Sequence, residues 1–218
     1  MEMKDGDKRL LEKSGYTLRV ERQEKYPGQP KINVVWAQRG ASEFIALPAL
    51  PCQSRYERIR RVQDSIPHIA RIVEILSGAD LQSGVVVFEK AAGKMLWKCD
   101  SVPDIDRIEA QIVEFAAATE ANKMIHGDIR PWNIFYDAEK GIKVIDWDSC
   151  RFIDELCLGD ELLRNLANHG HDGHPLSDLA RIDADDAARL VKLLRGQTGL
   201  DATWRCGKKD GCPPWCKR

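Results

Sequence analysis

The stretch from Met124 to Ser149, MIHGDIRPWNIFYDAEKGIKVIDWDS, constrains the fold of this chain most, because it sets two acid-bearing loops between short apolar runs. Met124 and Ile125 lead into His126-Gly127-Asp128, and Asn133 follows five residues after Asp128. Ile134-Phe135-Tyr136 reads as a strand leaving the loop, residues 137–141 as a turn, and residues 142–145 as a second strand that delivers Asp146 to its end. A hairpin of these two strands brings Asp128, Asn133 and Asp146 to one edge. Magnesium prefers oxygen ligands and keeps several waters, so the Asp146 carboxylate and the Asn133 amide oxygen suffice to hold it once phosphates complete the shell. Asp128 is then left to accept the proton of an attacking hydroxyl.

With those residues in hand, the sequence resembles the protein-kinase-like superfamily, whose catalytic loop reads H-R-D-x-x-x-x-N and whose metal loop begins with Asp. Here the two read HGDIRPWN and DWD. The resemblance implies an α+β, two-lobed fold with a small antiparallel-sheet N-lobe and a reduced helical C-lobe. It implies ATP and magnesium as cofactors, Asp128 and Arg130 as catalytic residues, and Asn133 and Asp146 as metal ligands. Gly127 stands where many protein kinases carry the arginine that receives an activation-loop phosphate, and Trp147-Asp148 replace Phe-Gly. Control by activation-loop phosphorylation is therefore not expected.

A net charge of −1 over 218 residues gives no field that would draw the chain to nucleic acid or to an anionic membrane surface. The first fifteen residues alternate charges without a signal-like apolar core, and no run approaches a membrane span. A cytoplasmic protein is expected, with its seven cysteines reduced. The expected organisation is an N-lobe over residues 1–92, a C-lobe over 93–202 and a Cys/Lys-rich tail over 203–218. Of Cys206, Cys212 and Cys216 only the last two have ligand-like spacing, one pair where structural zinc sites usually show two.

Taken in order, residues 8–13 suggest a helical turn, and residues 16–22, 31–38 and 43–47 suggest three strands. The turn between the first two holds only Gly28, where the family places a glycine-rich phosphate loop. Aligning Ile45-Ala46-Leu47-Pro48 with the family's V-A-I-K puts Ala46 beside the nucleotide and Pro48 in the place of the strand lysine. Either Lys31 or Arg39 then supplies the missing positive charge, or nucleotide binding is weak or altered. A helix over residues 53–64 carries Glu57 where the family's ion-pairing glutamate lies. Residues 70–76 and 85–88 continue the sheet, with Phe88 at the back of the adenine pocket and Glu89 to Ala91 offering backbone groups to adenine.

Proline near the first turn and a stripe of Ile105, Ile108, Ile112, Phe115 and Ala116 predict a helix over residues 103–122. Helices are also expected over 156–168 and 183–194. Asp160, near the start of the former, is read either as the anchor of the catalytic-loop backbone or as an ordinary first-turn acid. Three functions fit: a kinase acting on a protein hydroxyl, a pseudokinase that binds partners without turnover, and a small-molecule phosphotransferase of the aminoglycoside or choline type. The first implies a protein substrate or partner, and the oligomeric state is not legible.

Overall fold

Period-two alternation of apolar side chains builds the first sheet in the computed structural model, which describes residues 3–23, 31–49, 53–78, 83–99, 104–155, 179 and 181–196. Helix α1 (Asp5–Lys13) precedes β1 (Thr17–Gln23), β2 (Ile32–Arg39) and β3 (Ser42–Pro48). Helix α2 (Gln53–Val62) continues into a 3₁₀ turn at Gln63–Ser65 and leads to β4 (Ile72–Ser77) and β5 (Gly84–Glu89). The five strands lie in the order β1-β2-β3-β5-β4, each pair antiparallel.

Residues directly opposite in a ladder share a face of the sheet. Ala46 lies opposite Val35 and Val87, and these join Ala37, Val85, Tyr16, Met3 and Leu11 in one core cluster that seats α1. Fully burying a side chain such as Leu11 stabilises by roughly 1.5–3 kcal/mol. Asp7 fixes the helix on that face, because its carboxylate accepts the Lys4 N–H at 3.2 Å and the Gly84 N–H at 3.0 Å. Ile45 opposite Phe88 and Leu47 opposite Val86 make the other face. That face takes α2, whose Tyr56 meets Phe88 edge-on at 5.9 Å between ring centroids.

Contact density divides the chain into two units: the sheet with α1 and α2 forms one, while Ser65–Ile69 joins the residues from Ala92 onward in the other. The second unit contains β6 (Lys94–Met95), α3 (Ile105–Ala121), β7 (Met124–Ile125), β8 (Ile134–Asp137), β9 (Gly141–Val144), β10 (Arg151–Phe152) and α4 (Ile182–Leu194). Strands β6, β8 and β9 form one small sheet, and β7 pairs with β10. Ile108, Ile112, Phe115, Ala116 and Thr119 are the buried stripe of α3, which packs on α4. Its cap is Asp104, whose carboxylate accepts the Arg107 N–H. Ser65–Ile69 is tied in by the Val144 N–H donating to the His68 carbonyl at 2.8 Å and by Lys143 Nζ donating to the Ile69 carbonyl at 3.0 Å. The helix expected over 156–168, residues 169–174 and the cysteine tail lie outside the described residues.

One glycine here is obligatory. Gly93 has φ +80, and a Cβ built on it would lie 1.9 Å from the Tyr136 carbonyl oxygen, where β6 pairs with β8. Left-handed backbone and forced displacement of a ladder carbonyl together cost about 2–5 kcal/mol. Gly93→Ala is expected to lower the unfolding free energy from urea denaturation by that much, whereas Gly40→Ala, which meets nothing within 4 Å, loses only the backbone part.

Candidate active site

The β8–β9 hairpin forms as its sequence requires. Ile134 pairs with Val144, Asp137 pairs with Gly141, and the Asp137 carboxylate closes the turn by accepting the N–H groups of Glu139 and Lys140. Those bonds hold the Asp137 carboxyl below the usual carboxylate range. Beyond the last ladder pair, the Ile145 N–H donates to the Asn133 carbonyl at 2.8 Å, so the end of the catalytic loop and the start of the metal loop are joined. Asp146 follows at φ 71 and ψ 73, a left-handed conformation rare for a residue with a Cβ and concentrated at functional sites.

Asn133 is fully buried, and its amide nitrogen donates twice, to the Asp128 carboxylate at 2.6 Å and to the Asp128 carbonyl at 3.0 Å. Both partners are acceptors, so the amide orientation is fixed with nitrogen toward Asp128. Its oxygen, Oδ1, is buried with no hydrogen-bond partner. A buried acceptor left without a donor costs roughly 1–3 kcal/mol, and a hard cation would satisfy it. The oxygen donor set of Asn133 and Asp146 therefore fits magnesium. Arg130 completes the grouping: its Nε lies 2.7 Å from the other oxygen of Asp128, and its guanidinium stands 5.5 Å from the Trp132 ring centroid.

His126 ties the two loops together. Its Nδ1 accepts the Asp128 N–H at 3.3 Å, so Nε2 carries the proton and donates to the Ile145 carbonyl at 3.0 Å. The ring sits edge-on to Trp147 at 4.6 Å, and Phe115 of α3 packs beside both. Trp147, which stands for the phenylalanine of the resembled family, is buried at 1% exposure and holds the metal loop against α3.

The backbone of the catalytic loop is anchored by an acid that the sequence reading assigned no site role. Asp183, at the start of α4, accepts the His126 N–H at 2.7 Å and the Gly127 N–H at 2.9 Å. Asp160, the residue considered for this task, lies outside the described residues. The available signal was an acid flanked by apolar Ile182 and Ala184 in the first turn of a predicted helix, but no local pattern reveals that it is buried. Burial pushes the Asp183 carboxyl up, opposed by the nearby His126 and by the two N–H groups and Thr119.

The first unit departs from the expected cofactor contacts. Ala46 is 1% exposed in the core under α1, because alternation along β3 turns Ala46 and Pro48 to one face and Ile45 and Leu47 to the other. The β3 residues on the α2 face are thus apolar, and Glu57 has no β3 cation to pair with. Glu57 instead accepts a bond from Gln53 Nε2 at 3.1 Å. Arg39 is likewise committed elsewhere, since its guanidinium bonds Glu74 at 3.1 Å and lies over the Tyr16 ring at 4.6 Å. The Tyr16 hydroxyl also donates to Glu74, and burial with that carboxylate pushes it up to about 12. Lys31 is exposed at the entry to β2. Phe88 and Ala91 are buried, and Glu89 exchanges bonds with Arg71 through its N–H and its carboxylate.

Residues 87–157 match the phosphotransferase enzyme family APH. Over 75 residues the chain is 33% identical to two O-antigen chain terminator bifunctional methyltransferase/kinase WbdD proteins of Escherichia coli, a match covering 33% of this chain and 11% of each relative. The chain thus aligns with about a tenth of those proteins. The granulovirus kinase PK-1 of Cydia pomonella superposes with a TM-score of 0.61 at 14% identity, covering 86% of this chain and 70% of that one. The chain has a kinase-like fold, and a third of it matches a phosphotransferase family. Among the described residues no helix is long and apolar enough to cross a membrane.

The Asp183 anchor makes a signed prediction. A carboxyl whose folded value is raised holds a proton that the unfolded chain has released, so its contribution to stability falls as pH rises from about 4 toward the folded value. The stability difference between wild type and Asp183→Asn, from urea denaturation at pH 4 to 7, should therefore shrink with rising pH. Asp183→Ala, which strands two buried N–H groups, is expected to lose roughly 2–6 kcal/mol.

Proposed function

We propose that the chain is a phosphotransferase that moves the γ-phosphate of ATP to a hydroxyl with the help of magnesium. The observation that carries this reading is Asn133, whose amide is turned so that nitrogen holds Asp128 and a buried oxygen is left for a cation. Asn133 Oδ1 and the Asp146 carboxylate would hold magnesium, which when bound neutralises charge on the phosphates. Asp128 is fixed by Asn133 and Arg130, and it takes the proton of the attacking hydroxyl as the new phosphorus–oxygen bond forms and the bond from the γ-phosphorus to the bridging oxygen breaks to release ADP. Arg130 orients that carboxylate and brings positive charge to the reacting group, a task that the apolar α2-side residues of β3 cannot perform. Phe88 and the backbone at Glu89 to Ala91 remain the proposed adenine contacts.

A non-protein acceptor is favoured by the sequence matches: the phosphotransferase family aligns over residues 87–157, which carry Asp128, Asn133 and Asp146, and the other match is to O-antigen chain terminator bifunctional methyltransferase/kinases. A protein hydroxyl is the second reading, favoured by the likeness to the viral kinase over most of the chain. The proposed location is cytoplasmic, where ATP and reduced thiols are both available.

Two variants separate metal binding from proton transfer. Asp146→Asn should remove magnesium-dependent stabilisation by ATP in a thermal-shift titration. Asp128→Asn should leave ATP-magnesium affinity within a few-fold of wild type while lowering transfer by about 10²–10⁴-fold. Labelled ATP supplied with glycan, small-molecule and protein acceptors reads out which class is phosphorylated. A wild type that transfers to none of them, with Asp128→Asn unchanged beside it, overturns the enzyme.

A further inference from the structure

Asp146 opens a loop held in shape by a side chain that the proposed reaction leaves unused. Its left-handed backbone, φ 71 and ψ 73, is costly for a residue with a Cβ and persists only where both flanks are fixed. On the N-terminal flank the Ile145 N–H and carbonyl are both taken, by Asn133 and His126. On the C-terminal flank the chain makes one 3₁₀ turn, Trp147–Ser149, closed by the Cys150 N–H donating to the Trp147 carbonyl at 3.0 Å. A turn this short leaves the carbonyls that follow without donors of its own. Arg151 supplies them: its Nη1 donates to the Asp148 carbonyl at 3.3 Å and to the Cys150 carbonyl at 2.8 Å. A terminal guanidinium nitrogen carries two N–H groups, so one atom meets both acceptors.

The backbone of Arg151 is fixed as well. It lies opposite Ile125 in the β7–β10 ladder, and Ile125 is the residue before His126. Arg151 is thus paired through its main chain with the strand that enters the catalytic loop, and bonded through its side chain to the turn that leaves Asp146. We infer that Arg151 is a positioning residue: it caps the turn after Asp146 and registers that turn against the catalytic loop, so that Asp146 and Asn133 keep one spacing. Its consequence for metal binding rests on the magnesium site proposed above, whereas the cap itself does not. Lysine is a partial substitute, since it keeps the charge but its Nζ stops one bond short of Nη1 on a stem that rotates freely. A role in geometry and a role as a charge facing the phosphates therefore separate at Arg151→Lys.

Two measurements on the full chain test this. Hydrogen exchange of the Cys150 amide, followed by NMR, reads the turn without any ligand, and the α3 amides report global stability beside it. Arg151→Met is expected to lower Cys150 protection about tenfold while the α3 amides stay within about twofold of wild type, because the two lost bonds are local. Free Mn²⁺, standing in for magnesium and counted by electron paramagnetic resonance in the presence of ADP, reads the metal site without turnover. Mn²⁺–ADP affinity should fall about three- to tenfold in Arg151→Met. Arg151→Lys should fall between wild type and Arg151→Met in both measurements. The inference is overturned if Arg151→Met leaves Cys150 protection at the wild-type level, or if the α3 amides lose protection to the same degree. It is also overturned if Mn²⁺–ADP affinity survives while Cys150 protection is lost, whether in Arg151→Met or in Arg151→Lys. A wild type that binds no Mn²⁺–ADP counts against the proposed magnesium site, and the Cys150 amide then decides the cap by itself.

Discussion

The Asp183 carboxylate and the two backbone N–H groups it accepts are the constraint on which the candidate site depends. A loop that presents Asp128 cannot also be a helix or a ladder, so its backbone donors need partners from elsewhere. Buried donors without partners would cost more than the loop's own contacts return. One buried acid meets two of them at once and fixes the direction in which His126 and Asp128 leave the chain. Its charge is costly to bury, and burial pushes its carboxyl up against the opposing pull of His126, the two N–H groups and Thr119.

From that anchor a chain of contacts runs outward. His126 joins the catalytic loop to the carbonyl before Asp146, and Trp147 and Phe115 pack the imidazole so that it cannot swing away. Asn133 then divides its two amide atoms between Asp128 and the proposed cation. The left-handed backbone at Asp146 is tolerated because the residues on either side are fixed, by the Ile145–Asn133 bond and by the buried indole. Function and stability are thus supported by the same few residues, and a change to one of them reaches the others.

The first unit shows how a motif can be legible in type and misleading in direction. Reading Ile45-Ala46-Leu47-Pro48 as a nucleotide-facing strand correctly gives a strand without a lysine. Which side chains face which way depends on register, and a shift of one residue exchanges the faces. The pairing of Ile45 with Phe88 and of Ala46 with Val87 places Ala46 under α1 instead. Arg39 was a reasonable source of positive charge by its position on β2, yet Glu74 and Tyr16 compete for it successfully from neighbouring strands.

The sequence by itself determined the hairpin, its turn and the pairing of Asp128 with Asn133, because these rest on interactions between residues close along the chain. It also determined the stripe of α3 and the strands of the first sheet, whose periodicity reports burial directly. Only the tertiary structure decided that Asp183 holds the loop, since the two partners are 57 residues apart and nothing local marks the acid as buried. It also decided the face of Ala46 and the partner of Arg39. A linear pattern fixes what a segment prefers, whereas which donor meets which acceptor across the fold is set by packing.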